Sequence, residues 1–291
     1  MKNNNPIKQH TVPNFYLKNF ADSNFCTWVY DKKKSKIRNQ PTKNTTIKKD
    51  FYTIEIKSKS KDYRVETDLF ANNIEKEFAP VLLDVIKNKK ILESQKEIIR
   101  LFVILQHSRT TIFKKRYENI IKKEKEEYIM KEYNNEIEKE GIKRIEVHPH
   151  KNTNLKGMLE NFEFLEKGIE KMSFLLFEAN GNEQFITSDN PAIVIAAKKL
   201  TKPISTPITN IIYYPLAPNL TLVLNDYGVS GLKKANKKTV NFLNRFLYRQ
   251  ADQFIISRKR KKLLNFIKTN IDFEINQTDF EIFEKTIYQS R

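Results

Sequence analysis

The spacing of apolar residues changes period once along this chain, and that change restricts the fold more than any other feature. From Glu66 to Ile86 the positions Leu69, Phe70, Ile74, Phe78, Leu82, Val85 and Ile86 recur at helical spacing, with Pro80 expected to kink or split the segment. Ser94 and Glu97 read as a capping box that opens a long helix, whose stripe is Ile98, Phe102, Leu105, Arg109 and Ile112. Beyond the Val147-His148-Pro149-His150 turn, short β-branched and aromatic runs take over. They cover Met172 to Ala179, Phe185 to Thr187, Ala192 to Ala197, Ile211 to Leu216, Leu220 to Asn225 and Gln253 to Ser257, punctuated by Gly181, Pro191, Pro218 and Gly228. Two earlier strands are expected at Phe25 to Tyr30 and Tyr52 to Ile56, and late helices from about Leu232 to Arg249 and from Lys261 to Asn270. Helices gathered in the middle and strands after them predict an α+β fold, with central helices and a mainly antiparallel sheet built largely from the C-terminal half. With no internal repeat and no Gly/Ser linker, residues 1–291 read as one compact domain. The charge-dense, apolar-poor segment 114–146 is expected to protrude from it as a helical arm.

The net charge of +18 comes from 53 basic and 35 acidic residues, and a surface of that sign concentrates polyanions. AT-rich coding produces an excess of Lys without any partner, and 42 of the basic residues are Lys against 11 Arg. Placement separates the two explanations. Residues 1–62 hold 14 basic and 5 acidic groups and residues 198–268 hold 15 and 2, whereas 117–197 and 269–291 are slightly acidic. Drift in codon usage raises Lys everywhere, so two basic blocks around a balanced middle favour a polyanion-facing surface. The 6 glycines form no dinucleotide or P-loop pattern, which argues against standard nucleotide chemistry. A lone Cys26 permits neither an internal disulfide nor a cysteine zinc cluster and fits a reducing cytoplasm. Apolar stretches such as Ile98 to Leu105 are too short to span a bilayer, and the first residues contain no apolar signal segment, so neither membrane insertion nor export is expected.

Several polar residues sit where chemistry is commonly built. His10 follows Gln9 directly before an extended Val12-Pro13 and an aromatic helical turn; it could transfer a proton, bind a metal or cap that turn, with Gln9 orienting it or a ligand. Gln106 and Arg109 lie beside the apolar stripe, and a buried guanidinium needs either a polyanion or a carboxylate such as Asp189 or Glu66. His107 falls off that stripe and is expected to be partly exposed. Ser188-Asp189-Asn190-Pro191 follows a strand, so Asp189 serves as a divalent-metal ligand, a general base or an orienter of His10, or else closes an Asx turn. Glu66 is a second carboxylate, or simply a charge at a helix start. Asn244 is a polar residue in the apolar stripe of Val240, Leu247 and Ala251 and needs a partner. Arg249, Arg258, Lys259, Arg260, Lys261 and Lys262, interleaved with Tyr248 and Phe254, suit a phosphate-tracking surface with an aromatic platform. His148 and His150 have the spacing of a zinc pair but no visible further ligands.

The segment Gln9-His10-Thr11-Val12-Pro13-Asn14-Phe15-Tyr16-Leu17-Lys18-Asn19-Phe20 belongs to a larger set. Together with Trp28-Val29-Tyr30-Asp31, Phe185-Ile186-Thr187-Ser188-Asp189-Asn190-Pro191, Tyr214-Pro215-Leu216-Ala217-Pro218, Asn241 and Asn244, it resembles the family catalogued as domain of unknown function 4238 over nearly the whole chain. The resemblance implies a bacterial intracellular protein without a settled activity, some members looking like effectors in phage-defence settings. Two functions follow as expectations. In the first, the basic blocks hold nucleic acid and a nuclease-like site acts on a phosphate through His10, Arg109 and Asp189, with Gln106 beside them and Mg²⁺ or Mn²⁺ as the candidate cofactor. In the second, the chain is a non-catalytic binder or sensor of nucleic acid or a phage component, and the same polar residues form a buried structural network.

Overall fold

The computed structural model describes residues 6–56, 60–142, 145–195, 211–270 and 277–288. The chain begins with β1 (Lys8–His10), the short helix α1 (Asn14–Leu17), β2 (Cys26–Asp31), β3 (Lys36–Pro41), β4 (Ile47–Lys49), β5 (Ile54–Glu55) and β6 (Lys61–Asp62). A π-helical segment, Val65–Glu75, runs into α2 (Lys76–Asn88), and α3 (Lys96–Ser108), α4 (Thr111–Glu132), α5 (Asn134–Lys139) and α6 (Thr153–Ile169) follow. Then come β7 (Ser173–Ala179), β8 (Thr187–Ser188), β9 (Ile193–Ile195), β10 (Ile211–Ala217), β11 (Leu220–Asn225) and β12 (Gly231–Ala235). The last elements are α7 (Lys237–Gln250), β13 (Phe254–Ser257), α8 (Arg260–Asn270) and α9 (Gln277–Tyr288).

The central sheet has the order β12-β7-β11-β10-β9 and is antiparallel except for the parallel β12–β7 pair. Strands β7, β10 and β11 are apolar on both faces. Phe174, Leu176, Ile212, Tyr214, Leu222 and Leu224 join a core made with Phe78, Leu82, Ile99 and Phe102. Their neighbours Leu175, Phe177, Ile211, Tyr213 and Val223 point the other way, to Leu243, Leu247, Leu263 and Phe283 of the C-terminal helices. Helices therefore cover both sides of one sheet, and the uninterrupted apolar runs follow from burial on both faces. The fold is α+β in a single compact body. A second sheet, β3-β2-β13-β8, joins the two ends of the sequence, since β13 lies between β2 and β8.

Several elements differ from their sequence-based expectation. The segment 232–249 is not one helix: Gly231–Ala235 is a strand bound to β7, and Asn236 caps α7 by accepting the Thr239 backbone N–H at 3.0 Å. The long helix through Ile112 breaks after Ser108, and the Thr110 side chain caps α4 at the Phe113 N–H. The turn before α3 is closed by Gln95, whose carboxamide accepts the Leu92 N–H at 2.9 Å, in place of the expected Ser94 and Glu97 box. Pro80 lies inside α2, and the departure from α-helical winding comes before it, in Val65–Glu75. Helix α4 buries none of its residues fully, yet its Tyr117 ring packs against α6 at Gly157, where an added Cβ would approach to 2.6 Å. Residues 196 and 197 of the strand expected at Ala192 to Ala197, and 198–210 of the second basic block, lie outside the described residues.

Candidate functional site

The Gln-His segment is held from both sides. In β1 the buried Gln9 carboxamide accepts the Tyr52 N–H at 2.6 Å and donates to Thr53 Oγ1 at 3.1 Å, fastening the strand to the following loop. Next to it, His10 faces the Lys43 carbonyl through Nε2 at 3.2 Å, and the Thr11 carbonyl accepts from Gln106 Nε2 at 3.1 Å. Burial lowers the His10 pKa below its ordinary value, with the Lys43 carbonyl opposing and Arg109 reinforcing that shift. Pro13 sets the extended entry to α1, which presents Tyr16 to the core. The Tyr16 hydroxyl donates to the Pro215 carbonyl at 2.7 Å and lies 2.6 Å from Thr187 Oγ1, while its ring stacks on Tyr214 at 5.1 Å.

Arg109 occupies the break between α3 and α4 and is 2% exposed. Its Nη1 donates to Glu75 Oε1 at 2.6 Å and its Nη2 to the His10 carbonyl at 2.9 Å, with Glu66 Oε2 at 3.9 Å. The guanidinium lies over Phe70 at 4.2 Å, and the Arg109 carbonyl accepts the Tyr52 hydroxyl. Glu66 and Glu75 are nine residues apart, which places them on opposite sides of an α-helix. At the roughly 4.4 residues per turn of i→i+5 winding, the same separation is about two whole turns. The π-helical segment is what brings both carboxylates to one cation. Three buried atoms of this cluster have no hydrogen-bond partner: Glu66 Oε2, which faces Arg109 only at ion-pair distance, Gln106 Oε1 and Arg109 Nε.

Burial pushes the Glu66 carboxyl up to about 7, against the attraction of Arg109 and with Glu75 adding to the rise. A carboxyl with a raised folded-state pKa stabilises the fold while it holds its proton and loses that contribution as pH rises. The stability of the wild type relative to Glu66→Gln is therefore expected to fall between about pH 4.5 and 7, by at most about 3 kcal/mol. Urea unfolding of both proteins across that interval checks it, and parallel stability curves would contradict it.

Asp189 belongs to a different group. Oδ1 accepts the Asp252 N–H at 3.0 Å, and Oδ2 accepts the N–H groups of Gln253 at 2.8 Å and Phe254 at 3.1 Å. Burial raises its pKa to about 6 even against these three donors. Ser188 Oγ accepts the Asn190 N–H at 3.0 Å, and Asn190 Nδ2 donates to the Gln250 carbonyl at 2.9 Å. Asn244 finds its partners in the same region, accepting from Ile186 N at 3.0 Å and donating to the Gln184 carbonyl at 2.9 Å. Asp31, at the end of β2, accepts from the Lys33 and Lys34 N–H groups and from Gln253 Nε2, tying the β2–β3 turn to the same segment.

The structure thus brings Gln9, His10, Gln106 and Arg109 into one hydrogen-bonded cluster, with Glu66 joined to it by the ion pair to Arg109, and Ser188, Asp189 and Asn190 into another. Among the described residues no hydrogen bond or ion pair joins Asp189 to Arg109 or His10; neighbouring residues connect the two groups, Tyr16 to Thr187 and His107 to Ala192. Glu75, Tyr52 and Asp31 went unrecognised in the sequence. The nine-residue spacing hid Glu75, and Arg109 and Gln253, to which Tyr52 and Asp31 are joined, are remote in sequence. His107 is half-buried and hydrogen-bonds the Ala192 carbonyl through Nδ1 at 2.9 Å. His148 and His150 are exposed. Among the described residues no group of three or more His, Cys, Asp or Glu is placed to hold a metal ion.

The basic segments meet because β2 pairs with β13, Trp28 standing opposite Ser257. Just beyond β13, Arg258, Lys259, Arg260 and Lys261 are exposed and Lys262 is half-buried, while Arg249 is exposed towards the end of α7. Arg258 donates to the Ala21 carbonyl at 2.7 Å and the Asn19 carbonyl at 3.3 Å, and Arg260 lies over the Trp28 ring at 5.6 Å. From Gln253 to Asn270 there is no acidic residue, and among the described residues none of Arg258 to Lys262 forms an ion pair with a carboxylate. No described helix is long and apolar enough to cross a membrane.

A family model described as a protein of unknown function, DUF4238, matches residues 8–261 of the 291-residue chain. No curated protein and no solved structure matches it.

Proposed function

The chain belongs to the DUF4238 family of proteins of unknown function, and from that premise we propose that it binds nucleic acid on the basic surface beside the β2–β13 pair. The pairing of these strands is the observation that carries the reading. It joins two sequence blocks that hold most of the positive charge and leaves Arg258, Lys259, Arg260 and Lys261 exposed at one edge, with an aromatic ring beneath Arg260. The polar residues of the Gln-His and Ser-Asp-Asn-Pro segments hold that edge in shape: both Asp189 oxygens are occupied by backbone donors, and the Arg109 head by Glu75 and the His10 carbonyl.

Fluorescence anisotropy with a labelled oligonucleotide tests the reading. Affinity is expected to fall steeply with salt, and Lys259→Glu/Arg260→Glu/Lys261→Glu to weaken binding by at least about tenfold and flatten the salt slope by about two to three. An unchanged unfolding midpoint serves as the control. Equal binding by the variant, or binding of the wild type to phosphatidylserine vesicles but to no nucleic acid, overturns it.

A second reading is a nuclease-like phage-defence effector acting through His10, Arg109 and Asp189. It is favoured by Arg109 Nε and Glu66 Oε2, a donor and an acceptor that face the same cluster without a hydrogen-bond partner, Glu66 Oε2 lying 3.9 Å from the Arg109 guanidinium. Incubation of DNA and RNA with the protein in Mg²⁺ or Mn²⁺ separates the two, since cleavage abolished by Glu66→Gln supports the enzyme and intact polymer supports the binder.

A further inference from the structure

Resting on the proposed nucleic-acid binding, we infer that the polymer taken up is single-stranded and that an unpaired base stacks on Phe25. This residue sits at the tip of the turn before β2 with φ 56°, in the left-handed region that a bulky side chain rarely enters. The turn enforces it. The Asp22 carboxylate accepts the N–H groups of Asn24 at 2.9 Å and Cys26 at 3.0 Å, Phe25 N donates to the Asp22 carbonyl at 3.1 Å, and the Phe25 carbonyl accepts Thr42 N at 2.9 Å. A glycine would take the same backbone with less strain, and the aromatic ring stays 56% exposed, outside the core.

The surroundings point to a phosphate-bearing ligand. Lys18 Nζ is 5.1 Å from the centre of the Phe25 ring. Arg258 grips the carbonyls of Ala21 and Asn19 in the loop that leads to Phe25, and the exposed Lys43 follows Thr42, which is hydrogen-bonded to Phe25. Asp22, the carboxylate of this turn, is itself exposed, and one of its oxygens accepts the backbone N–H groups of Asn24 and Cys26. An exposed ring with a lysine ammonium beside it and further basic residues on the adjoining loops matches a nucleotide strand whose base is free to leave its stack, because every base offers a face to an aromatic and every nucleotide a phosphate to a cation. In a duplex both faces of each base are already covered by its neighbours, so the ring has nothing to stack on.

The test compares one labelled sequence as a single strand and as a duplex, bound to the wild type, Phe25→Gly and Phe25→Trp. The wild type is expected to prefer the single strand. Phe25→Gly is expected to bind it roughly 5- to 100-fold more weakly with an unchanged salt slope, to keep its duplex affinity, and to unfold at the same or a higher midpoint; Phe25→Trp is expected to restore binding. Single-strand affinity unchanged in Phe25→Gly, or duplex binding as tight as single-strand binding in the wild type, overturns the inference. If those results accompany binding that the triple charge reversal still weakens, the basic surface stands and only the stacking fails. If the wild type binds no nucleic acid, both fail.

Discussion

Arg109→Ala is expected to destabilise the protein by about 3–5 kcal/mol, which for a marginally stable fold means expression as aggregate or unfolding at low urea. The guanidinium is buried between Glu75, Glu66 and the His10 carbonyl, so its removal leaves two carboxylates and a carbonyl without their counter-charge. Burial by itself opposes the charge on Arg109, but Tyr52, Glu75 and Glu66 outweigh it and hold the group above its ordinary pKa. Taking out the partners together is a different matter, since a charged cluster replaced whole by apolar residues of similar size is commonly neutral or stabilising. Arg109→Met/Glu66→Met/Glu75→Leu is therefore expected to recover much of the loss. Urea unfolding followed by circular dichroism measures both. A single substitution costing less than about 1 kcal/mol would contradict the account of a buried cation held by its carboxylates.

Asp189→Ala is expected to cost about 3 kcal/mol or more, because it strips three backbone N–H groups of their acceptor at the turn that leads into β13. Asp189→Asn keeps one carbonyl oxygen but turns an NH₂ group toward donors, so it is expected to fall between the alanine variant and the wild type. Hydrogen exchange locates the effect: the amides of Asp252, Gln253 and Phe254 should lose protection in both variants while those of α3 keep it. A loss of function in Asp189→Ala with stability and protection unchanged would instead assign this carboxylate to chemistry.

What the sequence discloses about this fold follows from how local each cause is. Strands β10 and β11 are readable because Ile211 to Leu216 and Leu220 to Asn225 are short apolar runs bounded by turn residues. Strand β12 is not, since Leu232, Lys233 and Lys234 show no alternation and become a strand only by pairing with Leu176 to Glu178 of β7. The Asn236 cap was a local mark of where α7 begins, and Thr110 of where α4 does, but a helical stripe running through both positions obscured them. Among the polar residues, the need of Arg109 for a carboxylate and of Asn244 for a partner is written in their apolar surroundings. Which carboxylate serves Arg109 depends on the winding of Val65–Glu75, and spacing counted at 3.6 residues per turn points away from Glu75. The left-handed Phe25 has no signal of its own, for the turn that imposes it is made by the side chain of Asp22 and a backbone bond to Thr42.

The central place of β13 between β2 and β8 also has a meaning for synthesis. Thr27 Oγ1 reaches the Ser257 carbonyl across a separation of 230 residues, and every backbone bond from β2 to β13 is comparably remote. At roughly 5–20 residues per second, the ribosome needs on the order of 10–50 s to deliver the partner strand after β2 has emerged. For that time Thr27 and Val29, both fully buried at the end, form an open strand edge on the nascent chain. A chain cut short before residue 254 would therefore lack not a peripheral piece but the middle of the sheet formed by its own beginning.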